Sequence, residues 1–277
     1  MAAWLRESMD RTGALVPPLK WAGGKRWFVS RHLHLVPDEY SRYIEPFLGS
    51  GALYFALRPK SALLSDVNGD LINLYRCIRS QPKNLSKALV RHQLKHSEEH
   101  YYATRAANPR SELQRAARLL YLNRTCWNGL YRVNKKGQFN VPIGTKSAVV
   151  LESDDFVSLS TVLECAELEC RDFEESINAA VSGDFVFVDP PYTIAHNNNG
   201  FVKYNETLFS WEDQLRLRAA VDRAVDRGVK VLVTNAAHAS IYELYSGYEQ
   251  LPVTRSGVIA GKSAARGSFA EVVIRCF

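Results

Sequence analysis

A mixed α/β sheet, parallel at its centre and carrying an inserted module, is the fold this sequence predicts, and three observations predict it. First, Phe185-Val186-Phe187-Val188-Asp189 is an apolar run closed by Pro190-Pro191. A strand covered on both faces reads as continuous hydrophobic sequence, and prolines, lacking an N–H, end its ladder. Second, Tyr43-Ile44-Glu45-Pro46-Phe47-Leu48-Gly49-Ser50-Gly51 reads as strand, G-x-G turn and helix start. A further strand, Ala62 to Ser65, then ends in Asp66, 21 residues after Glu45, the Rossmann spacing in which an acid accepts from ribose hydroxyls. Third, between about Cys77 and Thr145 the pattern turns to basic helices followed by a short hairpin.

Size and composition are compatible with this. At 277 residues the chain suits one large domain with an insertion, and 46% apolar residues supply a full core. Lys and Arg outnumber Asp and Glu by 35 to 29, a moderate basic balance that suits a polyanionic partner without requiring one. The five cysteines form no CxxC pair and have no histidine at metal-ligand spacing, so reduced thiols are expected and no metal. No apolar run approaches the ~20 residues of a membrane span, and Met1 to Asp10 lacks a signal-peptide core. A cytoplasmic location is the expectation.

In chain order, residues 1 to 15 read as a loose arm or short helix. Pro17 to Trp27 holds Gly23-Gly24 with Lys20, Trp21 and Lys25 crowded around them, which allows close backbone approach to a ligand. A glycine turn with solvated lysines accounts for the same string. Trp27 to Leu35 has helical spacing, as has Ala52 to Leu57 after the G-x-G turn. Glu45-Pro46 in place of a third glycine argues for an adenosine-sized ligand rather than a dinucleotide. Asp70 to Ile78 is a helix with Asn68 or Asp70 near its cap. Residues 77 to 122 are helical and rich in Arg, Lys and His, mostly a solvated face. Asn134 to Gly137 offers turn residues between two short aromatic-flanked strands, a predicted β-hairpin. Arg124, Arg132, Lys135, Lys136 and Lys146 bracket it, interleaved with Trp127, Asn128 and Tyr131. Basic groups suit phosphates, and Asn and Arg suit base edges; an exposed hairpin of no special role is the alternative. A strand is predicted near Ala166 to Cys170, a helix over Glu174 to Val181, and a helix over Trp211 to Arg227 capped by Ser210. A strand over Lys230 to Thr234 and a final strand pair around a basic loop (Arg255, Lys262, Arg266) complete the chain. The 18 residues from Thr193 to Ser210, with Phe201 and Tyr204, read as a lid.

Asp189-Pro190-Pro191-Tyr192 carries the most chemistry. It stands at the carboxyl end of a strand, where open α/β sheets bind ligands. One carboxylate, one prolyl carbonyl and one aromatic face are what is needed to hold an exocyclic amino group on a flat heterocycle. A strand followed by a proline-rich turn, with Asp189 capping locally, is the plainer alternative.

Leu19 to Lys25, Glu45 to Gly51, Tyr121 to Gly144 and Asp189 to Tyr192 together resemble the Dam-type DNA adenine-N6 methyltransferases, over roughly residues 17 to 275. The resemblance implies a Rossmann-like class I methyltransferase fold: a mixed seven-stranded sheet with helices on both faces and an inserted helical plus β-hairpin target-recognition domain. The catalytic domain would span 1–76 and 146–277, and the insertion 77–145. S-adenosylmethionine is the implied cofactor and double-stranded DNA the implied partner. Trp21 and Lys25, with Ala22, Gly23 and Gly24 between them, are implied to touch the cofactor, as is the turn Glu45, Pro46, Phe47, Gly49, Ser50 and Gly51. Asp66 would bind the ribose, Asp172 and Phe173 the cofactor adenine, and Asp189 is shared between cofactor and target base. Pro190, Pro191 and Tyr192 complete the catalytic tetrapeptide. Lys20 is implied to read the first guanine of the site and Arg132 a later one, while Trp127 stands where Tyr is common and would intercalate or fill space beside the flipped base. Arg124, Asn128, Asn134, Lys135, Lys136, Lys262 and Arg266 are the further DNA contacts implied. Leu130 and Pro142, with Arg132, favour 5'-GATC-3', although Ile143 replaces the usual Phe. A longer GA-containing site, RNA, cytosine-N4 chemistry and a non-catalytic DNA-binding relic are the alternatives; the first two keep the same chemistry, and the third goes with Ser at the position of Asp189. A monomer is expected, with a cognate restriction endonuclease as a further partner.

Overall fold

The computed structural model describes residues 15–134, 137–193, 209–256 and 268–277. The expected arm at the N-terminus, Lys135 and Lys136, the lid residues Phe201 and Tyr204, and Lys262 and Arg266 lie outside the described residues. The chain runs α1 (Arg26–Arg31), a 3-10 turn (Leu33–Leu35), β1 (Tyr43–Glu45), α2 (Ala52–Leu57), β2 (Ala62–Asp66) and α3 (Gly69–Ser80). It continues through α4 (Pro82–Lys95), α5 (Glu98–Ala106), α6 (Glu112–Thr125), a 3-10 turn (Trp127–Gly129), α7 (Phe156–Leu163) and β3 (Ala166–Cys170). Then come α8 (Phe173–Asn178), β4 (Phe185–Val188), α9 (Trp211–Asp226), β5 (Lys230–Ala236), α10 (Ala239–Leu244), β6 (Glu249–Ser256) and β7 (Ser268–Cys276).

These strands form the expected seven-stranded mixed sheet, in the order β3-β2-β1-β4-β5-β7-β6. β1 is parallel to β2 and β4, and β4 to β5, whereas β7 runs antiparallel to β5 and β6. The chain divides into two compact units. One is drawn from Met1–Ser30, Leu48–Lys60 and Asn68–Cys170, the other from Arg31–Phe47, Ser61–Val67 and Arg171–Phe277.

In the second unit β1 and β4 are buried at every position, which is why they read as unbroken apolar runs. Ile44, Val186, Val188, Val231 and Val233 form one apolar cluster with Leu217, Ala220, Val221 and Ala224 of α9. Burying each of the Ile, Val and Leu side chains is worth about 1.5–3 kcal/mol. α9 begins where expected: the Ser210 hydroxyl accepts from Asp213 N–H and the Asp213 carboxylate from Ser210 N–H, a capping box. β5 continues two residues past the predicted Thr234 because β7 supplies an antiparallel partner as far as Ala236. The predicted helix at Trp27 to Leu35 is divided after Arg31: His32 leaves helical geometry, and Val36, preceding Pro37, is extended. The helix after β3 is shorter than the predicted 174–181.

In the first unit α3 packs chiefly on α6. Asn68 caps α3, its side-chain oxygen accepting from the N–H groups of Asp70 and Leu71 at 3.1 Å each. Lys83, Lys87, Arg91 and Lys95 are exposed on α4, the solvated face that the sequence predicts. The predicted β-hairpin is present as a short antiparallel pairing. Around the bridge Val133↔Phe139, Asn134 N–H donates to Gln138 C=O at 2.8 Å and Asn140 N–H to Arg132 C=O at 3.1 Å, and Gly137 N–H donates to Asn134 C=O.

Three histidines and a tyrosine hold α4, α5 and α6 together. His92 Nδ1 lies 3.0 Å from His100 Nε2, His96 Nδ1 lies 3.0 Å from the Tyr121 hydroxyl, and the His92 ring stacks on Tyr121 at 4.6 Å. Burial, then the nearby His100, Arg91 and Lys95, push His92 down to about 4 from 6.5. The native imidazole therefore stays neutral where the unfolded one takes a proton, so the unfolded state binds more protons between these values. Stability is expected to fall as pH falls from about 6.5 to 4, by about 1–2 kcal/mol once solvent screening is allowed for. Urea unfolding at pH 7 and 4.5 measures it. His92→Phe, which keeps the stack, is expected to remove much of the difference; an undiminished difference would place its origin elsewhere.

Candidate functional site

The carboxyl edge of the second unit's parallel strands concentrates acidic side chains. β4 ends at Val188, Pro190 and Pro191 end the ladder, and Asp189 is left half-buried at the rim. The β4–β5 register pairs Val188 with Val233, so Thr234 arrives beside Asp189 and donates its hydroxyl proton to Oδ1 at 2.8 Å. The Tyr192 phenol donates to Glu271 Oε2 at 2.6 Å. Glu271 is buried on β7 and pairs with Ala236 of β5. Burial, followed by the charges of Asp189 and Glu271, holds the Tyr192 phenol well above the usual tyrosine range.

Glu45 closes β1 and is buried, with the Tyr43 phenol donating to its Oε2 at 2.8 Å. Burial drives its carboxyl well above the ordinary carboxylate range. The Tyr43 hydrogen bond opposes this, and the Asp189 and Asp66 charges add to it. Asp66 closes β2, so three acids end three adjacent parallel strands, β2, β1 and β4. Phe47 stacks on Phe173 at 5.3 Å, and Phe209 packs against both. The expected adenine readers are engaged within the protein: Asp172 caps α8 at Glu174 N–H and pairs with Arg216 at 2.9 Å. Phe173 is buried, with the Arg216 guanidinium 4.4 Å from its ring centre.

The first unit holds the glycine turn. Trp21 stacks on Tyr131 with centroids 5.0 Å apart. Gly49, at φ +47°, lies under the indole, and a Cβ there would stand 2.8 Å from Trp21 Cδ1, so only glycine fits. Lys25 is buried and its ammonium donates to Gly23 C=O at 3.0 Å. Pro46 of the second unit is buried, as are Ser50 and Gly51 of the first, while Ala22 is exposed.

The expected DNA-reading residues of this unit have different placements. Lys20, Asn128, Arg132 and Pro142 are exposed, Trp127 is 49% exposed, and Leu130 and Asn134 are half-buried. Asn128 adopts φ 56°, a left-handed conformation that Asn tolerates better than most residues, and so turns Trp127 outward. Arg132 Nε donates to Asn140 Oδ1 at 2.9 Å. The Lys146 side chain beside it, then partial burial, lower the Lys20 ammonium to about 8. Arg124 departs from expectation. It is buried, pairs with both Asp154 oxygens at 2.7 Å, and donates to the carbonyls of Val149 and Pro18. Its guanidinium is directed inward because the last turn of α6 buries its whole circumference.

An open α/β sheet of this strand order, with Asp-Pro-Pro-Tyr at the end of its fourth strand, defines a Rossmann-like methyltransferase. The chain belongs to the D12 class N6 adenine-specific DNA methyltransferases, whose family profile matches residues 21–256. It is 36% identical over 269 residues to the type II methyltransferase M1.LlaDCHI of Lactococcus lactis subsp. cremoris, covering 94% of this chain and 95% of that protein. It is 33% identical to the type II methyltransferase M.MjaIII of Methanocaldococcus jannaschii, over 90% of this chain and 94% of that one. A DNA adenine methylase of Vibrio cholerae is 30% identical, over 92% and 94%. Among the described residues no helix is long and apolar enough to cross a membrane.

Sequence reasoning missed Thr234, Glu271, Asp154 and Asn123. A signal existed for two of them: Thr234 ends an apolar strand, and Glu271 interrupts one (Ala270-Glu271-Val272-Val273).

Proposed function

We propose that this protein transfers a methyl group from S-adenosylmethionine to N6 of an adenine flipped out of duplex DNA, within 5'-GATC-3'. One observation carries the reading: Asp189, braced by Thr234, stands at the end of β4 on a double-proline bend, next to a tyrosine whose phenol is pinned by Glu271. The domain assignment proposed is catalytic for 1–76 and 146–277 and target-recognising for 77–145. Cytoplasmic location, a monomeric state and a cognate restriction endonuclease belong to the same proposal.

The acidic strand ends suit the cofactor. The charges of Asp66 and Asp189 both bear on Glu45, and a ligand bearing a sulfonium and an ammonium would offset them. When bound, S-adenosylmethionine supplies an electrophilic methyl group on a cationic sulfur. Asp66 would accept from the ribose hydroxyls, and Trp21 and Lys25 would contact the rest of the molecule. With Phe173 buried, the cofactor adenine would meet the α8 start and Asp172 rather than an open ring face.

An adenine inside a duplex cannot reach this edge, and extruding it costs about a few kcal/mol. Stacking on Tyr192 returns roughly 1–3 kcal/mol. The adenine N6 lone pair is delocalised into its ring and is a poor nucleophile. Asp189 and the Pro190 carbonyl would accept its two N–H bonds, drawing nitrogen toward tetrahedral geometry and localising the pair. Positioning and preorganised acceptors then supply most of the acceleration. Exposed Trp127 would fill the space left by the extruded base, with Lys20, Leu130, Arg132 and Pro142 at base edges and Asn128 and Asn134 beside them.

The test is nucleoside analysis after incubation with labelled cofactor and duplex DNA, together with methylation sequencing of plasmid from an expressing host. N6-methyladenine confined to GATC is the expected result. Methylation at a longer GA-containing site would revise the specificity alone. Label in RNA or in N4-methylcytosine, or DNA binding with no transfer, would overturn the reading.

A further inference from the structure

We infer that Asn123 is a positioning residue for base readout, setting where Lys20 emerges relative to the turn Trp127–Gly129. This rests on the proposed reading of Lys20 as a guanine contact. Asn123 lies in the last turn of α6 and is 1% exposed. Its Oδ1 accepts from Lys20 N–H at 3.0 Å, and its Nδ2 donates to Lys20 C=O at 2.8 Å and to Gly129 C=O at 3.2 Å. A side-chain amide carries the same donor and acceptor as a peptide group, so Asn123 pairs with Lys20 as a neighbouring strand would. Its remaining proton then ties that pair to the carbonyl of Gly129. Two segments more than 100 positions apart are thereby fixed to one side chain.

The steric fit agrees. Gly129 has φ +67°, and a Cβ there would lie 3.0 Å from Lys20 Cδ and 3.3 Å from Asn123 C=O. The Lys20 stem thus runs along the turn that presents Trp127 and Asn128. A second tie, the Trp21–Tyr131 stack, joins the residue after Lys20 to one two positions beyond Gly129. Lys20 and the turn behave as one rigid reading head, and Asn123 is its fastening. No other side chain type offers an acceptor and two donors in this plane at this length: Asp lacks the donors, and Gln carries them one methylene too far.

The experiment compares duplex discrimination in wild type, Asn123→Ala, Asn123→Asp, Lys20→Ala and the Lys20→Ala/Asn123→Ala double variant. Binding by fluorescence anisotropy and kcat/KM are both measured on the cognate duplex, on one changed at the base pair assigned to Lys20, and on one changed at the pair assigned to Arg132. Expected for both Asn123 variants is a loss of about tenfold in discrimination at the Lys20 pair, with discrimination at the Arg132 pair retained. The double variant should discriminate no worse than Lys20→Ala, because Asn123 acts through Lys20. Equal weakening on all three duplexes, or additive losses in the double variant, would make Asn123 merely structural and overturn the inference. Discrimination unaltered by Lys20→Ala overturns it as well, while leaving adenine methylation standing. The binding ratios decide the matter even where no methyl is transferred, so failure of the catalytic reading remains distinguishable. Asn123→Ser, measured alongside, introduces no buried charge and covers the case in which Asn123→Ala and Asn123→Asp do not fold.

Discussion

Asp189→Ala is expected to lower the methyl-transfer rate by about 10³-fold or more, the combined scale of losing a proton acceptor and a preorganised electrostatic interaction. The carboxylate is proposed to accept from the adenine amino group, and the described groups beside it are poorly suited to replace it. The Thr234 hydroxyl that braces it is a donor in the Asp189 contact, and Glu45 is pushed toward its neutral form by burial. Asp189→Asn keeps one acceptor oxygen and the shape of the side chain, so it should fall between Ala and wild type. Stability is expected to change little, by about 1 kcal/mol for the Thr234 hydrogen bond. Single-turnover transfer, followed by mass spectrometry of digested duplex, measures the chemical step apart from product release. A rate within tenfold of wild type in the folded Ala variant would sink the mechanism. Tyr192→Phe offers a contrast: it keeps the stacking face but releases Glu271, so any rate loss reports the anchoring of the ring rather than its π surface.

What could be read from the sequence follows from how local the determining physics is. β1 and β4 announce themselves because burial on both faces leaves no polar alternation. The caps at Asn68 and Ser210 are legible since the side chain and the amides it satisfies are neighbours in sequence. The Asp189 rim is legible because two prolines can only end a ladder. What escapes is the interaction whose partner is remote. Glu271 meets Tyr192 across 79 positions, only because β7 returns antiparallel beside β5 in one register. Thr234 is paired with Asp189 by a register that neither segment encodes alone. The hairpin, by contrast, is legible for a local reason: turn residues stand at Asn134 to Gly137, and the arms pair through Asn134 N–H to Gln138 C=O and Asn140 N–H to Arg132 C=O. For Asp172 the resemblance implies a ligand contact; its cap of α8 is local, while its pairing with Arg216 arises only because α9 packs nearby.

Arg124 shows why exposure decides what a basic residue does. It stands in the same basic string as Arg132, but Arg132 is exposed and Arg124 is enclosed with Asp154, the two side chains 4% and 10% exposed. Arg124→Ala is therefore expected to destabilise the protein by about 3 kcal/mol. It deprives the largely enclosed Asp154 carboxylate of its counter-charge, leaving it the Leu151 N–H, and removes the donor to the carbonyls of Pro18 and Val149. That is a large part of the roughly 5–15 kcal/mol that holds a typical domain folded. Asp154→Ala should be comparably damaging for the converse reason. The double substitution Arg124→Met/Asp154→Leu should recover a good part of the loss, because removing both charges removes the unpaired one. Denaturant unfolding of the four proteins measures this. DNA binding of whatever folds supplies the second readout: were Arg124 to touch a phosphate, its removal would lower the salt dependence of binding by about one ion, whereas an internal role leaves that slope unchanged. Full stability in Arg124→Ala with a reduced slope would return the residue to the DNA surface. Lost stability with an unaltered slope is the expected outcome, and it would mean that Arg124 anchors the protein's own framework rather than the DNA.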